Sequence, residues 1–108
     1  MKLLSISKSN SKGKKYDAVF KLDSGKEKTI GFGATGYRDY TLMSDPKSKF
    51  YERDMKERNA VKSRYYARHV KREDWTNPLT AGTLSKYILW HKKTIPLAIK
   101  EFKKKFKV

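Results

Sequence analysis

From Lys2 to Gly33 apolar and polar positions alternate with a period near two. Leu4 and Ile6 alternate with Ser5 and Ser7, Tyr16, Ala18, Phe20 and Leu22 with Asp17, Val19 and Lys21, and Ile30 and Phe32 with Thr29 and Gly31. Successive side chains of a strand point to opposite faces, so this spacing predicts three strands. Asp23-Ser24-Gly25-Lys26 supplies an Asp able to bond the backbone two residues on and a Gly tolerant of positive φ, which suits a tight hairpin. Ser9 to Lys15 is a looser connection. A three-stranded antiparallel meander over residues 1–36 then presents one apolar face, which needs helices to cover it.

After a loop from Gly33 to Ser44, the pattern changes to one near 3.6. Ser44-Asp45-Pro46 reads as a helix start, because a side-chain oxygen can accept an orphan amide proton and Pro at the first helical position has none to lose. Lys47 to about Arg72 contains no Gly or Pro, with Tyr51, Met55, Arg58, Val61 or Lys62, Tyr65 and His69 on one stripe and Phe50, Tyr66 and Val70 widening it. The stripe is patchy from Glu57 to Asn59, so two helices with Asn59 as a cap are an alternative. Asn77-Pro78 ends this region. Thr80 can cap a helix from Ala81 to about Lys92, with Leu84, Tyr87, Ile88 and Trp90 or His91 inward. Thr94 caps a last helix with Pro96 in its first turn, where Ile95, Ala98, Ile99, Phe102 and Phe106 form a regular apolar stripe. The reading is an α+β fold in one domain, a β meander over 1–36 and three or four helices over 45–108. There is no internal repeat.

Composition adds a charge problem to this plan. The 108 residues carry 27 Lys and Arg against 11 Asp and Glu, a formal net charge of +16. Residues 1–36 hold 8 basic and 3 acidic side chains, 37–74 hold 11 and 7, and 75–108 hold 8 and 1, so the charge is not one tail. A surface of this kind must meet a polyanion or bear its own repulsion. Fourteen aromatic residues, seven Tyr, five Phe and two Trp, argue for a packed module. The opening MKLLSISKSNSKGKK is too short and interrupted for a signal peptide, and no window has the ~20 apolar residues of a membrane span, so a soluble protein of a reducing compartment is expected.

Chemistry-bearing groups are sparse. With no Cys, disulfides, thiolate ligands and thiol nucleophiles are excluded. His69 and His91 lie 22 positions apart with no ligand spacing, so no metal site is expected, nor any cofactor or small-molecule substrate. The carboxylates are scattered among basic neighbours, and Ser and Thr have no evident base, which points to a non-enzyme. Gly31-Phe32-Gly33-Ala34-Thr35-Gly36 fits the letters GxGxxG. A phosphate loop needs a helix opening at its third Gly inside a parallel βαβ unit, and here a hairpin strand precedes and Tyr37-Arg38-Asp39-Tyr40-Thr41 follows as loop, so a structural turn is the better reading.

Two basic surfaces are candidates for partner or polyanion contact. Arg64, Arg68, Lys71 and Arg72 share one helix face, interleaved with Tyr65, Tyr66 and His69, a composition used for phosphate contact and stacking but also produced by any amphipathic helix. Lys100, Lys103, Lys104 and Lys107 line the last helix opposite its apolar stripe and suit a solvated face, a polyphosphate or an anionic membrane surface. Trp75, Tyr87 and Trp90, with Arg64 and Arg68, are candidate interface anchors.

Three stretches resemble a family of small basic proteins of unknown function from large nucleocytoplasmic DNA viruses, including algal and giant viruses. They are Gly33-Ala34-Thr35-Gly36-Tyr37-Arg38-Asp39-Tyr40-Thr41, the run from Tyr66-Ala67-Arg68-His69 to Arg72-Glu73-Asp74-Trp75, and Asn77-Pro78-Leu79-Thr80-Ala81-Gly82 with Leu84-Ser85 and Tyr87-Ile88-Leu89-Trp90. The resemblance implies a viral product packaged in the virion and made in the host cytoplasm or viral factory. It supplies no catalytic residues. The leading expectation is a minor-capsid or inner-shell protein bridging capsid or other virion proteins. The alternative is a sequence-independent DNA binder for genome condensation or packaging.

Overall fold

The computed structural model describes Met1–Val108 and shows an α+β fold. Strands β1 (Lys2–Lys8), β2 (Lys14–Lys21) and β3 (Glu27–Ala34) form an antiparallel sheet in the order β1-β2-β3. Helices follow at Tyr40–Ser44 (α1), Met55–His69 (α2), Ala81–Leu84 (α3) and Ile95–Phe106 (α4), and α3 runs on into a π-helical stretch, Ser85–Trp90.

One face of the sheet carries the core. Leu3 pairs with Phe20, Ile6 with Ala18, Ala18 with Ile30 and Tyr16 with Phe32, so the alternation of β2 and β3 is used as the pattern predicts. In β1 the phase differs. Leu3 is buried and Leu4 is exposed, because Leu3 and Ser5 pair with the adjacent residues Phe20 and Val19, leaving Leu4 as the extra residue of a β-bulge. The bulge flips the strand's phase, so Leu4 does not share the inward face with Ile6. The hairpin between β2 and β3 closes through Gly25 N–H to the Leu22 carbonyl at 2.9 Å, with Gly25 at φ +87°.

The segment from Gly33 to Ser44 is not all loop. Asp39 caps α1 by accepting the Leu42 amide at 3.0 Å, and Tyr40, Thr41 and Met43 are buried. Ser44-Asp45-Pro46 therefore ends a helix: Asp45 is the C-cap, and Pro46 follows where a helix cannot continue. The chain then crosses Lys47 to Arg53 without helix, pinned by Glu52 N–H to the Met43 carbonyl at 2.9 Å, and α2 starts at Met55 behind Asp54, whose side chain accepts the Lys56 amide at 2.9 Å. The helix is shorter than the Gly- and Pro-free run because this crossing and the Asp54 cap use its first eight residues, 47–54. It is also unbroken: Asn59 lies inside it and accepts a hydrogen bond from the Tyr40 hydroxyl at 3.1 Å.

Thr80 and Thr94 cap α3 and α4 as their sequences predict, accepting the amides of Thr83 at 3.2 Å and Leu97 at 3.4 Å. Between them the α-helical spacing fails. The π-helical stretch buries three consecutive residues, Ile88, Leu89 and Trp90, so Leu89 joins the inward side that α-helical spacing gives to Leu84, Tyr87 and Ile88. Ala98 and Phe102 of α4 sit in the same core as Phe20, Phe32, Met43 and Leu84.

Candidate functional site

A cleft of about 460 Å³ lies between the end of the β2–β3 hairpin, α2 and the start of α3. Its floor is set by glycines. Gly33 has φ +79°, and a Cβ there would come within 2.8 Å of Leu89 Cδ1 and 3.2 Å of Lys15 Cβ. At Gly82 a Cβ would have to push aside the Glu73 carboxylate, the far end of a flexible side chain that lies directly against it. The glycine requirement at Gly33 is thus one of strand-to-helix packing, as a structural turn implies, and no helix opens at Gly36.

Behind the cleft is an ion pair. Lys15 Nζ donates to Asp39 Oδ2 at 2.7 Å and to the Tyr37 carbonyl at 2.6 Å, while Asp39 Oδ1 accepts from the Thr41 hydroxyl and the Leu42 amide. The Asp39 side chain is 2% exposed and that of Lys15 14%. One carboxylate therefore caps α1, fixes Thr41 and neutralises a lysine drawn from β2, which ties the hairpin to the first helix.

The helical wall is aromatic. Tyr65 stacks on Trp90 at 4.3 Å with 9° between the rings, and His69, one turn on, lies 4.3 Å from Tyr65. Burial pushes the Tyr65 phenol up to about 12, with the negative charges of Glu73 and Asp39 adding to it and Arg68 opposing, so it faces the cleft as a neutral hydroxyl. Arg38 and Arg68 are exposed at the cleft and have no carboxylate partner. Lys14 lines it too. A second hollow of about 340 Å³ shares Lys14, Lys15 and Asp39 with the first.

The structure separates the residues that the sequence grouped. Arg64 and Arg68 lie on α2, but the helix ends at His69 with Val70 as cap, so Lys71 and Arg72 stand in the following turn and the four do not form one helical face. Arg64 faces Glu57 at 3.5 Å, both exposed, while Arg68 joins the cleft. Lys100, Lys103, Lys104 and Lys107 are all exposed along α4, with Lys107 in the left-handed conformation at φ 56° as its C-cap. The apolar stripe of α4 packs on the core, which leaves the lysines rather than the stripe for any outside surface.

The aromatic anchors are largely spent inside the molecule. Trp90 is 7% exposed and belongs to the core, contrary to an interface role, because the π-helical stretch turns it inward onto Tyr65. Tyr87 is half-buried against Phe106 at 5.5 Å. Trp75 is half-buried too. It packs edge-on to Tyr66 and holds Lys86 Nζ 4.0 Å from its ring centre, with Lys86 also over Tyr66 at 5.2 Å and Tyr87 at 4.8 Å. This cation–π box fastens the turn after α2 to the π-helical stretch.

The cleft had no signal in the sequence beyond its glycines, since its walls come from five separate stretches. No three His, Asp or Glu side chains gather in a metal-ligating group, and no helix is long and apolar enough to cross a membrane. No curated protein and no solved structure matches the chain. Residues 4–54, from β1 through α1 to the cap of α2, match a family of unknown function (DUF5754), so the sheet and the Gly33–Thr41 side of the cleft are similar to that family while the basic helices lie beyond the matched span.

Proposed function

We propose that this chain is a non-enzymatic nucleic-acid-binding protein that engages phosphate backbone without reading sequence. The observation that carries this is unpaired positive charge: of 27 Lys and Arg side chains, only Lys15 and Arg64 stand in ion pairs with carboxylates. Exposed cations without internal partners release counterions when they meet a polyphosphate, which supplies sequence-independent affinity. The family resemblance implies a viral product packaged in the virion, and packaging or condensing the viral genome is the role that the net charge of +16 suggests there.

Fluorescence anisotropy with a short duplex and a single strand tests this reading. Affinity should fall roughly 10³-fold between 50 and 200 mM salt if about six phosphates are engaged, and replacing Lys100, Lys103, Lys104 and Lys107 with Gln should flatten the salt slope. Weak binding already at 50 mM salt, or a slope unchanged by the four substitutions, counts against it.

A second reading is a virion structural component that bridges larger proteins. It is favoured by large apolar side chains left at the surface, Tyr37 at 71% exposure together with Tyr51, Met55 and Leu97. Mass spectrometry and cryo-EM of purified particles test it: this chain in an ordered shell is the expected result, and absence from the particle ends it.

A further inference from the structure

Resting on the nucleic-acid reading, we propose that the cleft between the β2–β3 hairpin and α2 takes one unpaired nucleotide of a strand, its base against the aromatic wall and its phosphate at Arg38 and Arg68. The chemistry of the three sides differs, and each side suits a different part of a nucleotide. The inner wall is the Trp90–Tyr65 stack at 4.3 Å, followed by His69, whose ring lies 4.3 Å from Tyr65 and tilted by 34° to it. His69 ends that aromatic row half-buried, and a planar base can lie against it. The rim carries Arg38 and Arg68, exposed guanidinium groups without carboxylate partners, which can hold a phosphate through two parallel hydrogen bonds.

The third side is acidic. Glu73 lies against Gly82 with no hydrogen-bond partner for its carboxylate, unlike Asp39, whose two oxygens are occupied. An ionised carboxylate only accepts hydrogen bonds, so this side suits a base that presents an amino group and disfavours one that presents only carbonyls at that edge. A simple anion site has no use for Glu73. An acidic peptide would meet it as repulsion, and has no flat ring to add to the stack. The volume, about 460 Å³, falls in the range of small-ligand pockets, and the adjoining hollow of about 340 Å³ shares Lys14 and adds Lys8, both exposed and without carboxylate partners, which continues a basic path for the next phosphate.

Trp90 provides the readout. In W75F the only tryptophan left is Trp90, so its fluorescence can be followed while CMP, AMP, UMP, ribose 5-phosphate or inorganic phosphate is added. Saturable change is expected with CMP and AMP, weaker change with UMP, and little with the two ligands that lack a base. R38A and R68A, both at exposed positions, should each weaken CMP binding about tenfold while the melting temperature stays put. E73Q should narrow the gap between CMP and UMP. Repeating the R38A and R68A variants on duplex DNA separates the two ideas. Unchanged duplex binding with lost CMP binding supports a dedicated nucleotide cleft, whereas no saturable change with any nucleotide at about 10 mM, or inorganic phosphate binding as well as CMP, overturns the cleft proposal and leaves the backbone-binding reading standing. Failure of the salt-dependent duplex binding with intact CMP binding overturns the backbone reading alone.

Discussion

The two long helices, α2 and α4, are held in the fold by different means. In α4 the apolar stripe does the work: Ala98 and Phe102 are fully buried, Phe102 meets Phe20 at 6.4 Å and Phe106 at 4.7 Å, and the lysines point away. In α2 the only buried apolar residue is Val61, and much of the rest of its attachment is polar. Arg58 is 7% exposed and donates to the Glu52 carbonyl at 2.6 Å, Lys62 donates to the His91 carbonyl at 3.0 Å and sits 4.2 Å over the Tyr40 ring, and Asn59 accepts from Tyr40. Burial against grease tolerates small shifts, whereas each of these polar contacts needs one geometry. The cleft lies beside the helix that is fixed by geometry, and the basic array lies on the helix that is fixed by area.

The largest effect should come from removing the apolar anchor of α4. Phe102→Ala deletes a ring that is 1% exposed and should cost about 3–5 kcal/mol, read as a shift of the urea midpoint. Breaking the polar end should cost less. Lys15→Met leaves the buried Asp39 carboxylate without its cation, and about 2–3 kcal/mol is expected, below the usual loss for a broken buried pair because Lys15 keeps some exposure. A loss equal to that of Phe102→Ala would mean that this ion pair between β2 and α1 anchors the fold as strongly as the apolar stripe of α4. On α2 itself, Lys62→Met should cost only about 1 kcal/mol, since burial and the nearby Lys92 already depress the Lys62 ammonium and offset part of its hydrogen bond.

Titrations probe the same contrast without mutation of the core. Tyr65 and Tyr66 on α2 are both pushed up to about 12, chiefly by burial. Their phenols are favoured in the folded state, so the stability they contribute is complete below pH 10 and is lost as the pH rises from 10 towards 12. Alkaline absorbance titration should show these two, along with Tyr16, which burial and then Asp39 also push up, ionising late and together with unfolding. The smallest effect is at acid pH. Burial, followed by Lys92 and Lys62, lowers the His91 imidazole below its ordinary 6.5, so the unfolded chain binds the proton more readily and stability falls as the pH drops through 6.5. His91→Gln should remove that part of the slope in melting temperature between pH 7.5 and 5.5.

The same contrast explains which parts could be read in the sequence. The strands, the Thr80 and Thr94 caps and the whole of α4 follow from short-range signals, alternation, a capping oxygen and a 3.6-residue stripe. The start of α2 does not, because Ser44-Asp45-Pro46 is equally good chemistry for ending α1, and only the burial of Tyr40 and Met43 selects that outcome. Leu4 and Trp90 fail for a related reason: a one-residue bulge and a π-helical stretch each shift the phase, and neither leaves a mark in periodicity.

By itself the sequence determined a cysteine-free α+β chain with a meander, a lysine-faced last helix and +16 of charge that its own carboxylates cannot neutralise. Those properties depend on neighbours within a few residues or on composition alone. The tertiary structure decided that Lys15 meets Asp39, that Trp90 stacks on Tyr65 and turns inward, and that Arg38, Arg68 and Glu73 face one cleft. Apart from Arg68 and Glu73, those partners come from elements more than twenty positions apart, and only the packing of the elements on one another brings them together.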